Sequence, residues 1–424
     1  MHTIFALSSG SPPAAIAVLR ISGPASSEAL RTLAGRLPPP RRAVTASLRD
    51  AQGALLDRAL VLWLPGPTTA TGEDCAELHL HGGRAVVRAV EEALGALPDL
   101  RAAMPGEFTR RGFLNGRLDL AEAEGLADLL AAETELQRQA ALALASGSFS
   151  ALVSEWRDRL LALSAEVEAV LDFSDEDDVA ALPASFTWNV EGLADELARQ
   201  RARPGAELLK EGFRVVLAGP PNAGKSTLFN ALVESEAAIT APTAGTTRDV
   251  LVRPVALAGV PFLFLDTAGL RTGPADVVEA IGIDRARAEL DRADLVLWLG
   301  SEVDCPPSAW DIDAQCDRAG HSPKPAPRHR VSAVTGEGLL ALREDLVRTA
   351  RDALPRPGEF ALNARQRRLL SDAEAALKGA TSFTDPLLIA ENLRLARVAF
   401  DALLGRTTTE DMLDSLFGRF CIGK

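Results

Sequence analysis

The feature that most constrains this 424-residue chain is one stretch of eight residues, Gly219-Pro220-Pro221-Asn222-Ala223-Gly224-Lys225-Ser226. It fits the spacing Gly-x-x-x-x-Gly-Lys-Ser/Thr, with a β-type run at 214–218 before it and helical texture at 227–233 after it. Glycines let the backbone curl so that amide N–H groups point inward at a phosphate. The helix that follows adds its positive end. Lys225 is then placed to meet β- and γ-phosphates, and Ser226 to offer a hydroxyl to Mg²⁺. A chain with this loop is committed to an α/β sheet around it.

The surrounding residues extend that reading. Short β-type runs at 261–265, 294–299 and 328–332 alternate with helical stretches, as in an α/β sheet. The run at 261–265 leads into Asp266-Thr267-Ala268-Gly269, where a strand-end Asp can hold Mg²⁺ through water and Gly269 can sense a γ-phosphate. Gly245-Thr246-Thr247-Arg248-Asp249 supplies hydroxyls for a nucleotide-sensitive switch. Ser332-Ala333 ends the last strand, where such folds contact the base. This set resembles the translation-factor-related class of P-loop GTPases. That class carries Asn-Lys-x-Asp at the base; the matching stretch here runs from 311 to 317. Asp317 can accept from guanine N1–H and the 2-amino group, but Ala314 lacks an amide and Gln315 replaces the Lys stem. GTP is expected over ATP, with weak affinity and easy exchange. Leu270 cannot orient water, so hydrolysis needs help from a following acid or from a cation.

The rest of the chain differs in texture. Residues 1–116 hold short β-type runs at 14–21, 59–64 and 76–80 between Gly and Pro punctuation, which reads as an α+β domain. From 118 to about 172 the sequence turns Ala-, Leu- and Glu-rich, and Trp156, Leu160, Leu163, Val167 and Val170 fall on one helical stripe. Helical texture returns after 357, with Asp385-Pro386 as an N-cap and first-turn pair and a capping-box pattern at 407–410. An α/β unit inserted between two helical stretches is the simplest arrangement. The expected boundaries are 1–116, 117–210, 211–352 and 353–424. The net charge of −13 argues against a protein that coats nucleic acid through bulk charge. Only five of the 45 basic residues are lysines, Lys225 and Lys424 among them. Four scattered cysteines make neither a zinc site nor a disulfide framework. No apolar run approaches the ~20 residues of a membrane span, and no export signal is visible, so a cytoplasmic protein is expected.

Asn222 in the phosphate loop, the Gly-Thr-Thr-Arg-Asp segment and Asp266-Thr267-Ala268-Gly269-Leu270 resemble a potassium-activated GTPase. Added to these are Ala17-Val18-Leu19-Arg20-Ile21-Ser22-Gly23, Gly72-Glu73-Asp74, His81-Gly82-Gly83, Pro105-Gly106-Glu107-Phe108, the stretch 113–120 and the ending Phe420-Cys421-Ile422-Gly423-Lys424. On these motifs the chain is identified as a member of the MnmE (TrmE) family of potassium-activated tRNA-modification GTPases, over essentially its full length. The resemblance implies a multidomain fold: an α+β folate-binding N-terminal domain, a discontinuous all-α helical domain, and an α/β P-loop GTPase domain inserted into the latter. It implies a homodimer through the N-terminal domain, and a complex with a flavoprotein partner, MnmG (GidA), that carries FAD. The implied reaction adds an aminomethyl or carboxymethylaminomethyl group at C5 of the tRNA wobble uridine. The carbon comes from a methylene-tetrahydrofolate, and the amine from ammonium or glycine.

Residue by residue, the resemblance places Arg20, Glu77, Arg117 and Lys424 at contacts to a tetrahydrofolate derivative, in the 5,10-methylene or 5-formyl form. It places Asn222, Ala223, Gly224, Lys225, Ser226, Thr227, Asp266, Thr267, Ala268, Gly269, Asp317, Ser332 and Ala333 around GTP or GDP. Ser226 and Thr247 match ligands of Mg²⁺. Asn222 matches the side-chain ligand of K⁺, with backbone around Ala241, Thr243 and Thr246. Glu279 matches an acid that positions the attacking water. Plain structural roles are expected for His79 and His81, which share a strand face, and for the acidic run after Asp172. The principal alternative is a ribosome-assembly GTPase acting as an RNA-binding switch, and it calls for a basic appendage this acidic chain does not show. A folate-binding module with a degenerate GTPase domain is the third, kept open by Ala314 and Gln315.

Overall fold

The computed structural model describes residues 2–172, 182–233, 251–266, 288–407, 410–418, 420 and 422–423. The chain divides into two compact units, residues 1–127 with 401–424, and residues 128–400.

The first unit is built on a six-stranded sheet of β1 (Thr3–Leu7), β2 (Ile16–Ser22), β3 (Val44–Arg49), β4 (Leu55–Leu64), β5 (Cys75–His81) and β6 (Leu100–Ala102), in the order β3-β4-β5-β2-β1-β6. Neighbours are antiparallel except β1 and β6. Alternation along the strands sorts the residues by face. Ala17, Leu19 and Ile21 of β2 and Ala76, Leu78 and Leu80 of β5 are buried with Leu30 and Leu33 of the helix Ser26–Ala34 and Val87, Val90 and Leu94 of the helix Arg84–Gly95. Arg20, Glu77 and His79 therefore stand on the opposite face. The end of the chain folds back onto this unit. Leu413, Phe417 and Phe420 bury against Leu120 and Ala123, and Ser8 Oγ donates to the Gly423 carbonyl at 2.8 Å. Gly106, in the left-handed region at φ 67°, lies so close to the helix Glu410–Phe417 that a Cβ there would meet the Phe417 carbonyl oxygen at 2.2 Å.

The second unit carries a sheet of β7 (Phe213–Ala218), β8 (Leu251–Leu257), β9 (Val260–Asp266), β10 (Leu295–Trp298), β11 (Trp310–Ala314) and β12 (His329–Val331), ordered β12-β11-β10-β7-β9-β8. All pairs are parallel except β8 with β9. β7, β9, β10 and β12 match the β-type runs of the sequence to within a residue or two; β8 and β11 had no such run, and because residues 311–314 form a strand the base-reading loop begins only at Gln315. Burial of Val215, Leu217, Phe262, Phe264, Leu297 and Ile312 with helix residues Leu228, Phe229, Leu342 and Leu346 makes its core. Leu342 and Leu346 belong to the helix Leu339–Ala353, and the unit also holds helices Glu135–Ala145, Ser148–Asp172, Ser185–Arg201, Ala206–Glu211, Ala364–Ser382 and Pro386–Leu403. The anticipated stripe is the buried face of Ser148–Asp172, where Trp156, Leu160, Leu163 and Val167 are at most 5% exposed, while Val170 at its end is only half-buried. Asp385 Oδ1 accepts from the Leu387 amide at 2.9 Å, the cap expected before Pro386.

Candidate functional site

In open α/β sheets, ligands bind beyond the carboxyl ends of the parallel strands. Here β7 ends at Ala218, and the loop 219–224 leads into the helix Lys225–Val233. Gly219 and Gly224 have φ of 143° and 90°, which only glycine adopts without strain, and Asn222 takes a left-handed 62°. Lys225 is 6% exposed; its ammonium donates to the carbonyls of Gly219 at 2.9 Å and Pro220 at 2.7 Å, so the loop's own oxygens hold the charge at its centre. Ser226 Oγ donates to Asp266 Oδ2 at 2.6 Å across to the end of β9, where Asp266 is wholly buried. A hydroxyl and a carboxylate oxygen side by side at a phosphate loop are a donor set for a hard cation such as Mg²⁺.

Beside the loop lies a cavity of about 250 Å³ lined by Gly224, Thr227, Leu228, Ala314, Gln315, Asp317, Arg318, Val331, Ala333 and Val334. The structure thus brings the phosphate loop, the stretch after β11 and the stretch after β12 to one place. Gln315, at φ 59°, donates from Nε2 to the Asn222 carbonyl at 3.2 Å. A Cβ on Gly224 would stand 3.1 Å from Gln315 Cγ, so the glutamine stem lies directly on the phosphate loop. Ser332 is buried, and its Oγ accepts from the amides of Val334 at 3.2 Å and Thr335 at 3.0 Å, which fixes the loop bearing Ala333. After Gln315, Lys324 pairs with Asp311 of β11, and His321 Nε2 stands 2.9 Å from Asp313 Oδ1. At the next strand, Arg328 and His329 both reach Asp345 Oδ2 at 2.9 Å. Burial alone would raise the Asp345 carboxyl, but those two hydrogen bonds and the Arg348 charge bring it down to about 2. Burial pushes the Cys316 thiol up, with Glu337 adding to it, so the neighbour of Asp317 stays a neutral thiol.

Several expected residues lie outside the described residues: Ala241, Thr243, Thr246, Thr247, Thr267, Ala268, Gly269, Leu270 and Glu279 around the nucleotide, and Cys421 and Lys424 at the chain end. The acidic run 173–178 does too.

A second candidate site sits in the first unit. Arg20 and Glu77 are register partners on β2 and β5, and the Arg20 guanidinium donates from Nε at 3.1 Å and Nη2 at 3.0 Å to Glu77 Oε1. His79 Nε2 is 3.3 Å from Glu77 Oε2. Arg20 and Glu77 edge a cavity of about 340 Å³ lined also by Arg41, Leu64, Thr68, Thr69, Ala70, Cys75 and Arg117. Three arginines against one carboxylate leave it cationic, in a chain of net charge −13. Arg117 Nε donates to the Thr69 carbonyl at 3.2 Å. Arg41 had no signal beyond following a run of prolines; it is held by Nη2 donating to the carbonyls of Thr68 at 2.9 Å and Pro65 at 3.2 Å. The two histidines part company: His81 Nδ1 pairs with Asp57 Oδ1 at 2.7 Å, while His79 faces Glu77. Among the described residues no group of three or more His, Cys, Asp or Glu could hold a metal.

The parallel sheet, the phosphate loop with Lys225, Ser226 and Asp266, and the cavity beyond it define a P-loop GTPase domain within a multidomain chain. The model of the MnmE helical domain matches residues 120–421, and that of the GTP-binding protein TrmE N-terminus matches residues 3–117. The tRNA modification GTPase MnmE of Erythrobacter litoralis is 63% identical over 424 residues, covering 100% of both chains. That of Novosphingobium aromaticivorans is 63% identical over 434 residues, covering 100% of this chain and 99% of the relative. The chain belongs to the MnmE (TrmE) family of tRNA modification GTPases. Among solved structures, the G domain of the T. maritima FeoB iron transporter covers 32% of this chain and 98% of its own, at 28% identity and a TM-score of 0.24.

Proposed function

We propose that this protein hydrolyses GTP as a subunit of the complex that adds an aminomethyl or carboxymethylaminomethyl group at C5 of the tRNA wobble uridine. The observation that carries this reading is the coexistence, in one chain, of the Lys225–Ser226–Asp266 phosphate cradle and the arginine-lined cavity around Glu77. Lys225, the loop amides and Thr227 hold the phosphates of GTP; Asp317 and the loop at Ser332-Ala333 hold the base. Ser226 with Thr247, and Asp266 through water, hold Mg²⁺, which offsets phosphate charge. Asn222, with backbone at Ala241, Thr243 and Thr246, holds K⁺. Thr267, Ala268 and Gly269 follow the γ-phosphate, and Glu279 positions the attacking water that Leu270 cannot.

In the first unit, Glu77 accepts from the pterin donors of a tetrahydrofolate derivative, and Arg20, Arg117 and Lys424 meet its carboxylates. When bound, that cofactor supplies a one-carbon unit. The carboxylate fits this task because, among the described residues, Glu77 Oε2 has only His79 at 3.3 Å, and Glu77 lines the cavity. A homodimer through residues 1–116, and a flavoprotein partner of the MnmG type that brings FAD, complete the assembly in the cytoplasm. No described helix is long and apolar enough to cross a membrane. The test is nucleoside mass spectrometry of tRNA from a deletion strain, with GTP turnover compared in K⁺ and Na⁺. Loss of the C5-modified wobble uridines and faster turnover in K⁺ support the proposal; unchanged wobble uridines, in a strain with no second such enzyme, refute it.

A further inference from the structure

We propose that Arg318 reads the O6/N7 edge of guanine, taking over a contact for which Ala314 has no atoms. This rests on the cavity beside the phosphate loop being the GTP base site. Guanine presents two kinds of edge: donors at N1 and the 2-amino group, and acceptors at O6 and N7. Asp317 answers the first and cannot answer the second, because a carboxylate only accepts. The cavity's other polar side chains are Thr227, Gln315 and Arg318.

Gln315 is committed elsewhere. Its Nε2 donates to the Asn222 carbonyl at 3.2 Å and its stem lies against Gly224, so it ties the base loop to the phosphate loop. Its Oε1 faces Arg318 Nη1 at 3.4 Å, a long contact. Among the described residues that is the one hydrogen bond of the Arg318 side chain, and no ion pair is formed. The guanidinium carries five N–H donors in a plane, and arginine donating to O6 and N7 together is the pairing that best matches this edge. Adenine puts an amino donor where guanine has O6, and an arginine has nothing to accept it with, so the same residue that holds guanine rejects adenine.

The loop is set up to hold Arg318 in place. The Arg318 amide donates to the Gln315 carbonyl at 3.0 Å and the His321 amide to the Arg318 carbonyl at 3.0 Å. His321 Nε2 in turn lies 2.9 Å from Asp313 Oδ1 of β11. An exposed arginine with no such frame is usually a solvated cation; this one stands on a short, doubly closed turn at the cavity wall.

The test is calorimetric titration of the full-length chain with GDP, 7-deaza-GDP and ADP, in wild type, Arg318→Ala, Arg318→Lys and Lys225→Ala. Wild type is expected to bind GDP about ten-fold more tightly than 7-deaza-GDP, which lacks the N7 acceptor. Arg318→Ala should weaken GDP about ten-fold, bind the two guanine nucleotides alike and narrow the gap to ADP. Arg318→Lys, with the charge but not the fork, should recover only part of the GDP affinity. Equal binding of GDP and 7-deaza-GDP by wild type, or an unchanged ratio in Arg318→Ala, overturns the proposal. Failure of the underlying reading looks different: wild type then prefers ADP, or Lys225→Ala binds GDP as wild type does, and the proposal falls with it.

Discussion

Replacing Lys225 by alanine tests the central assignment most directly. In the structure the ammonium is nearly buried and donates to two loop carbonyls, Gly219 and Pro220. Hydrogen bonds to a charged group contribute about 1.5–3 kcal/mol each. Pro220 is exposed and Gly219 half-exposed, so water takes over much of what is lost. The expected cost to stability is therefore only about 1–2 kcal/mol. Nucleotide binding should suffer far more, since a point charge at the β- and γ-phosphates goes with the side chain. A loss of about 3–4 kcal/mol, roughly a hundred- to a thousand-fold in Kd, is expected. Separate calorimetric titrations with GDP and with 5-formyl-tetrahydrofolate read both sites in one protein. GDP binding should collapse while folate binding stays within about two-fold, because Arg20, Glu77 and Arg117 belong to the other unit. GDP affinity within about three-fold of wild type would refute the phosphate role, and joint loss of both ligands in a protein that still melts cooperatively would refute the separateness of the sites.

The remaining expectations are narrower. Ser226→Ala removes the hydroxyl 2.6 Å from Asp266, and the Mg²⁺ concentration needed for half-maximal GTP binding should rise about ten-fold, checked by titrating Mg²⁺ at fixed nucleotide. Glu77→Ala leaves Arg20 and His79 without their shared acceptor and should weaken 5-formyl-tetrahydrofolate at least about ten-fold, read by the same calorimetry, with GDP binding unchanged. Gly106→Ala combines a left-handed φ with a Cβ 2.2 Å from the Phe417 carbonyl oxygen and should destabilise the first unit by about 2–4 kcal/mol, visible as an earlier thermal transition. The Asp345 carboxyl falls from 3.8 to about 2 on folding, at most ~2.4 kcal/mol; its partly exposed Arg328 and Arg348 partners reduce this to about 1–2 kcal/mol. A depressed folded-state value means stability present above pH ~4 and lost as pH falls toward 2, so Asp345→Asn should melt earlier at pH 7 and the difference should shrink below pH 4.

What could be read from the sequence depended on how local its cause was. The phosphate loop was legible because its glycines, lysine and hydroxyl all lie within eight residues. Asp266 was legible as the last residue of an apolar run. The strand β11 was not, because Asp311 and Asp313 break its apolar pattern, and what makes them tolerable inside a sheet comes from farther along the chain: Lys324, His321 and Arg330. Arg41 was equally hidden, since its place at the cavity follows from contacts to residues 65 and 68 that no periodicity announces. The return of the chain end to Leu7 and Ser8 is likewise a long-range fact. A Cβ on Gly423 would meet the Leu7 carbonyl oxygen at 2.0 Å, so that approach needs glycine, yet a glycine one residue from the end of a chain carries no local signal of its partner.

The base-reading loop shows the same principle acting on function. Compared with the Asn-Lys-x-Asp pattern, Ala314-Gln315-Cys316-Asp317 looks like the loss of two contacts, because a motif compares residue types position by position. Geometry compares tasks. A lysine in that place would lay an aliphatic stem beside the base; Gln315 lays its own stem on Gly224 and adds an amide bond to Asn222, so the link between the two loops is kept by a neutral residue. That leaves the cavity one cation poorer at position 315, and Arg318, three residues on in the same turn, supplies one. On the proposal above, the contacts are redistributed among neighbouring residues of one turn. The departures in this loop fit relocated recognition better than a degenerate domain, because a decaying site has no reason to keep Gln315 bonded to the phosphate loop or Arg318 at the cavity wall.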